Sequence, residues 1–238
     1  MVGIIGAMAL EVEKLLSLLA GREARAVGCT QFHTGKLYGQ DVVLAACGVG
    51  KVNAALCAQA MLLHFRPSMI LNVGVAGGLL PEMRIGDIAV ASSVVQHDMD
   101  TTPLGDPRGY ISNLQCVEIP CSAPLVSTLL AAAEHLEGVH VHTGVVATGD
   151  QFIAKPEVKA DLVRQFNAIA CEMEGAAIGQ ACALHGVPFA VVRAISDGAD
   201  AGAAMDFPAF ARAAAERSAA LLEHALAEGG VDTSTKEQ

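Results

Sequence analysis

Three carboxylates follow closely on two apolar runs of strand length. Glu172 and Glu174 come after 168–171, and Asp197 after 189–195. Open α/β sheets bind ligands beyond the carboxyl ends of their strands, which is where these acids would stand. A carboxyl at such a dry end tends to keep its proton, which suits a general acid. Each acid also has a plainer structural reading. Asp197 precedes Gly198, and Asp-Gly is a common turn pair. Glu172 and Glu174 precede Gly175-Ala176-Ala177-Ile178, and acids there are an ordinary start to a helix. A fourth acid, Glu11, falls in a helix's first turn, where the dipole favours negative charge whatever the function.

The elements that must position these acids are legible from periodicity. The run 189–195 is almost continuously apolar, as in a central parallel strand covered on both faces. Runs at 2–8, 68–74, 88–95 and 139–147 read as further strands. The last of these leads into Thr148-Gly149-Asp150-Gln151-Phe152. Phe152 could form an aromatic wall for a flat ligand, or simply join the core. Segments 30–36 and 41–47 flank Tyr38-Gly39-Gln40 and predict a hairpin. Apolar spacing predicts helices over 9–20, 124–136, 156–166 and about 207–227. Another helix follows Gly48-Val49-Gly50 and is apolar almost all round, which predicts burial. That turn lacks the third glycine of a dinucleotide fingerprint, since Asn53 stands there, and GxxxxGK[ST] is absent. It reads best as a tight strand-to-helix turn. Val75-Ala76-Gly77-Gly78 ends another strand, where glycines let backbone approach a ligand closely. The expected fold is one α/β domain over 1–228, a mixed twisted central β-sheet flanked by helices in three α/β/α layers. Residues 229–238 are polar and are expected to fray as a tail.

Composition narrows the function. Hydrophobic residues are 53% of the 238, enough for a large core, and the 17% that are charged leave room for a covered surface. A net charge of −10, with 15 scattered Lys and Arg, argues against nucleic acid. The seven cysteines form no CxxC and lie mostly in apolar runs, as expected of reduced thiols in a cytoplasmic protein. The N-terminal apolar residues are too few to span a bilayer. His97, Asp98 and Asp100 lack a second histidine at ligand spacing, so no metal is expected. They open a long irregular segment to about 120, of the kind that is usually functional or covered by a neighbour.

Taken together, several stretches resemble a known family. They are GIIGAM with Glu11, GVGKVNAA, NVGVAGG, GDI at 86–88, HDMD at 97–100, TGDQFI at 148–153, CEMEGAAI at 171–178 and VVRAISDGAD at 191–200. Their order and spacing resemble the 5′-methylthioadenosine/S-adenosylhomocysteine nucleosidases, in the nucleoside phosphorylase superfamily, over roughly 2–227. The resemblance implies hydrolysis of an N-glycosidic bond, with no cofactor, releasing adenine and a thioribose. It implies that Asp197 protonates adenine N7, oriented by Ser196, and that Glu11 holds and activates the attacking water. Glu174 would bind ribose hydroxyls beside Glu172, with Met173 packed on the sugar and Arg193 near the water. Phe152 would stack on adenine and the backbone at Phe152 and Ile153 would read its edge. Phe207 would line the purine pocket, Ala76 and Gly77 the strand end, and Val49 the alkylthio side. A partner subunit would supply Thr101, Leu104 and residues to about 113, which implies a homodimer. One departure is Val75, where the family often has serine.

Rival readings differ by specific features. A phosphorylase on the same fold would need a basic phosphate clamp, yet the first strand-to-helix turn carries Glu11. A sister nucleosidase acting on 6-amino-6-deoxyfutalosine would share Asp197 and Glu174 and differ around the 5′ substituent. A non-catalytic nucleoside-binding protein would be expected to lose one of the acids. A dinucleotide-dependent oxidoreductase fails on the missing third glycine.

Overall fold

The computed structural model describes residues 1–227. The expected tail, 229–238, lies outside them. The chain opens with the buried strand β1 (Val2–Gly6), whose end turns into helix α1 (Ala9–Leu18). Two hairpins follow, through β2 (Ala20–Val27), β3 (Thr30–Leu37) and β4 (Gln40–Ala46). The β3–β4 hairpin matches expectation. Strand β2 does not: its residues are nearly all exposed, so no buried-strand alternation marked it.

Helix α2 (Lys51–Phe65) leads to β5 (Met69–Gly78) and β6 (Ile88–Gln96). The irregular segment after β6 holds one 3-10 turn and the short strand β7 (Glu118–Pro120). Then come α3 (Ala123–Ala133), β8 (Val141–Thr148), α4 (Pro156–Phe166), β9 (Ala168–Glu172), α5 (Gly175–His185), β10 (Phe189–Asp197) and α6 (Ala203–Ala227). Helix α6 starts four residues before Phe207, earlier than its apolar period suggested.

The described strands form one mixed sheet in the order β10-β6-β8-β9-β5-β1-β4-β3-β2, with β7 paired to β6 off this path. Strand β10 also pairs with β5 in parallel, so β5, β10, β6, β8 and β9 close into a ring. Strand β1 lies between β4 and β5, parallel to both. Helices α1, α3 and α6 cover one face, with Leu15, Leu129 and Leu222 in that core. Helices α2 and α5 cover the other, through Cys57, Met61 and Ile178. Every residue of β5 and of β10 is buried, as expected of largely apolar central strands.

Helix α2 corrects the expectation of burial. Val52, Leu56 and Leu63 are 69%, 63% and 56% exposed, and fall on one face of the helix. Hydrophobicity all round the helix is present, but this chain covers only one side of it.

Replacing Leu15 with Ala is expected to lower stability by about 2–5 kcal/mol, the range for a buried leucine. The urea midpoint should fall with the slope unchanged.

Candidate active site

A cavity of about 330 Å³ opens at the carboxyl ends of β1, β5, β8, β9 and β10. Glu11, Val49, Val75, Ala76, Gly77, Phe152, Ile153, Glu172, Met173, Glu174, Ser196, Asp197 and Phe207 all line it. Thus every expected site residue on these strand ends reaches one space. Arg193 does not line it. It lies fully buried behind the carboxylates, one turn of strand before the rim. Thr101 and Leu104 stand in and beside the 3-10 turn instead, and Leu104 is 82% exposed.

Arg193 ties the acids together. Its Nη2 donates to Glu172 Oε2 and to Asn72 Oδ1 (2.5 Å), and lies 3.6 Å from Glu174 Oε2. Its Nη1 lies 4.0 Å from Glu11 Oε1. Neither Nη1 nor Nε has a hydrogen-bond partner among the described residues. Gly74 makes this approach feasible, because a Cβ there would overlap both Arg193 Nη1 and a Glu11 carboxylate oxygen. Asn72 completes the set by donating to Ile5 O at 2.8 Å. Sequence reasoning missed Asn72. Its signal was a lone amide inside an apolar strand.

The main chain supplies the remaining partners. Glu11 Oε2 accepts the Ala7 and Met8 N–H groups at 2.7 and 2.8 Å, and Oε1 accepts that of Val75 at 3.0 Å. Glu172 accepts from Glu174 N (3.0 Å), Gly175 N (2.7 Å) and the Thr148 hydroxyl. It therefore caps α5 and pairs with Arg193 at once, and the two readings of that acid are one structure. Glu174 Oε1 accepts the Gly50 N–H at 2.9 Å. Gly50 has φ +100, a conformation glycine alone adopts readily, so Gly48-Val49-Gly50 is a turn that aims a donor. Lys51 N then donates to Asp150 Oδ1 (2.7 Å), Asp150 N to Asp98 Oδ2 (2.9 Å) and Lys51 Nζ to Asp98 Oδ1 (2.7 Å). Asp98 is thus engaged by lysine, and no metal-ligating cluster occurs among the described residues.

Asp197 has its own surroundings. Oδ1 accepts the Ala199 N–H and Oδ2 the Ser196 hydroxyl, both at 2.9 Å. The turn-capping role and the cavity-facing role again coincide. Burial pushes its carboxyl above the usual range; the two hydrogen bonds pull the other way, and Asp206 and Asp200 add to the rise. Burial also pushes Glu174 up to about 7, helped by Glu172 and opposed by Arg193 and the Gly50 N–H. Phe152 is half-exposed on the cavity rim and meets Phe207 edge-on, with centroids 5.6 Å apart. It is a wall rather than a core aromatic.

This fold, with acids at the mouths of its strands, defines a member of the phosphorylase superfamily, whose family model matches residues 1–227. A curated relative from Geobacillus kaustophilus (strain HTA426), named 5′-methylthioadenosine/S-adenosylhomocysteine nucleosidase, is 41% identical over 221 residues, 92% of this chain and 93% of its own. The same-named protein of Neisseria meningitidis, solved in complex with methylthio-immucillin-A, superposes with a TM-score of 0.92 at 33% identity. That match covers 95% of this chain and 98% of the other. A native structure described as futalosine hydrolase of Helicobacter pylori strain 26695 gives 0.91 at 36% identity, covering 95% and 97%. Within the superfamily, the chain belongs to the 5′-methylthioadenosine/S-adenosylhomocysteine nucleosidases.

Glu174 gives a pH signature in stability. Its folded pKa lies above the ordinary 4.5, so its contribution is fully present below 4.5 and is lost as pH rises through about 7. Glu174→Gln removes that dependence. The stability of the variant relative to the parent should rise by about 3 kcal/mol across this window in urea denaturation at stepped pH.

Proposed function

We propose that this protein hydrolyses the N-glycosidic bond of 5′-methylthioadenosine and S-adenosylhomocysteine, with Asp197 as general acid and Glu11 holding the water. The observation that carries this is the pair of unlike acid environments across one cavity. Asp197 is buried, which raises its proton affinity, and its carboxyl is met by one hydroxyl and one N–H group. Glu11 is held by three N–H groups beside a guanidinium. Adenine is a poor leaving group as an anion, so a proton delivered to N7 lets the C1′–N9 bond break. The ribose then carries oxocarbenium-like charge, which Glu174 and Glu11 would stabilise.

A carboxylate has about four acceptor directions, and the N–H groups of Ala7, Met8 and Val75 take three at Glu11. The fourth can accept from a water that also receives a bond from the unpartnered Arg193 Nη1. As the water attacks C1′, its proton passes to Glu11. Asp197 regains a proton from solvent and Glu11 releases one. Because Val75 contributes its backbone N–H, the absent serine hydroxyl leaves this anchor intact. Phe152 and Phe207 would clasp the purine, Ile153 would read its edge, and Met173 would pack on the sugar. No Lys or Arg lines the cavity, which favours water over phosphate as nucleophile.

The structural neighbour described as futalosine hydrolase keeps a second substrate class, 6-amino-6-deoxyfutalosine, open on this same site. The acids would serve both, and the 5′ side near Val49 would choose between them.

We also propose a homodimer, in the cytoplasm. Val52, Leu56 and Leu63 form an uncovered apolar face on α2, and Leu104 extends from the nearby irregular segment. A second copy docked there would bring Thr101, Leu104 and residues to about 113 toward the alkylthio side of the cavity. The seven unpaired thiols, four of them buried, suit a reducing compartment.

Asp197→Asn should abolish nearly all adenine release while circular dichroism stays unchanged; a parental rate would remove Asp197 as the acid. Release from methylthioadenosine should need no phosphate and yield free thioribose. A sugar 1-phosphate product would place the enzyme with the phosphorylases. Leu56→Glu with Leu63→Glu should convert dimer to monomer in sedimentation velocity. A dimer surviving that double change would put the interface elsewhere.

A further inference from the structure

Lys159, on the first turn of α4, contacts the acid's loop rather than the cavity. Its Nζ donates to Gly198 O at 2.6 Å and to Gly78 O at 3.0 Å. Among the described residues it has no carboxylate partner. Gly78 ends β5 and Gly198 directly follows β10, so one ammonium bridges the end of the strand that carries Asp197 and the end of its parallel neighbour. The Gly198 carbonyl and the Ala199 N–H belong to a single peptide unit, and that N–H donates to Asp197 Oδ1. In a planar trans peptide the two groups point in opposite directions. Lys159 therefore grips one end of the peptide whose other end holds the acid. Ala199 has φ +50, in the left-handed region that alanine disfavours, so this peptide's orientation needs outside support.

We propose that Lys159 is a positioning residue for the general acid: it fixes the orientation of the Gly198–Ala199 peptide and thereby the Asp197 carboxyl. The inference rests on the reading of Asp197 as the acid. A charge-assisted bond to the carbonyl also polarises the peptide and strengthens its N–H as a donor. That donor favours the ionised carboxyl, the form left once the proton has gone to the purine. Helix α4 follows the loop that carries Phe152 and Ile153. Lys159 thus ties the wall that would hold the base to the acid that would protonate it, at a set separation.

The test compares Lys159→Met, Lys159→Gln and Lys159→Arg with the parent, using methylthioadenosine across pH. Asp197 works protonated, so the alkaline limb of kcat reports its pKa. For Lys159→Met, kcat should fall about tenfold to a hundredfold, as expected when a reacting group shifts by about 1 Å, with KM little changed. The alkaline limb should move up by about one pH unit, because the carboxylate loses a donor. Lys159→Arg, able to bond both carbonyls, should restore most of kcat and the limb. Lys159→Gln should fall between, and decides the question should the Met variant not fold. An unmoved limb and parental kcat in the Met and Gln variants overturn the proposal. So does a loss of melting temperature with no change in the limb, which would make Lys159 structural only. Asp197→Asn separates the two ideas: if it is inactive while Lys159→Met is unaffected, only the positioning role fails.

Discussion

The structure depends on one buried guanidinium held among three carboxylates. Arg193 is wholly out of water, with Glu172, Glu174 and Glu11 around it. One positive charge cannot neutralise three negative ones in a dry site, so something must yield. Glu174 yields: burial and the neighbouring Glu172 push it up to about 7, while Glu172 takes the close pairing with Arg193. Asp197 stands outside this cluster, with only a hydroxyl and an amide as partners. The carboxyls of one cavity thereby stand in two unlike settings, one gathered on a guanidinium and one met by neutral donors, which is the kind of division that acid and base roles draw on.

Burying so many acids is possible because the backbone meets them. Glu11 sits at the mouth of α1 and Glu172 at the mouth of α5, where N–H groups lack partners within the helix. Asp197 closes the turn after β10 in the same manner. Each carboxylate satisfies orphan donors and is itself stabilised by them. Structural capping and cavity chemistry are therefore not competing explanations. The same bonds that end the strands and start the helices hold the acids at the rim. The closed ring of β5, β10, β6, β8 and β9 makes that rim compact, since it gathers four of the five strand ends around one space.

Much of this is legible in the sequence. The nearly continuous apolar runs of β5 and β10 identified central strands, and the acids at the strand ends pointed to the cavity. Strand β2 was not legible, because it is an exposed outer strand with Arg22, Glu23 and Arg25 in place of an alternating apolar face. The uncovered side of α2 was also misjudged. Periodicity reports where apolar residues lie on a helix, not whether this chain or another molecule covers them.

By itself the sequence determined the α/β alternation, the strand ends that carry Glu172, Glu174 and Asp197, and the turn at Gly48-Val49-Gly50. These follow from side-chain period and local backbone preference, which act over a few residues. Only the tertiary structure decided which donor meets which acid and which acid stands beside the guanidinium. Gly50 and Glu174 are 124 positions apart, and Arg193 and Asn72 are 121 apart. A carboxyl's proton affinity is set by burial and by charges within a few ångströms, and those neighbours are chosen by the fold, not by adjacency in the chain.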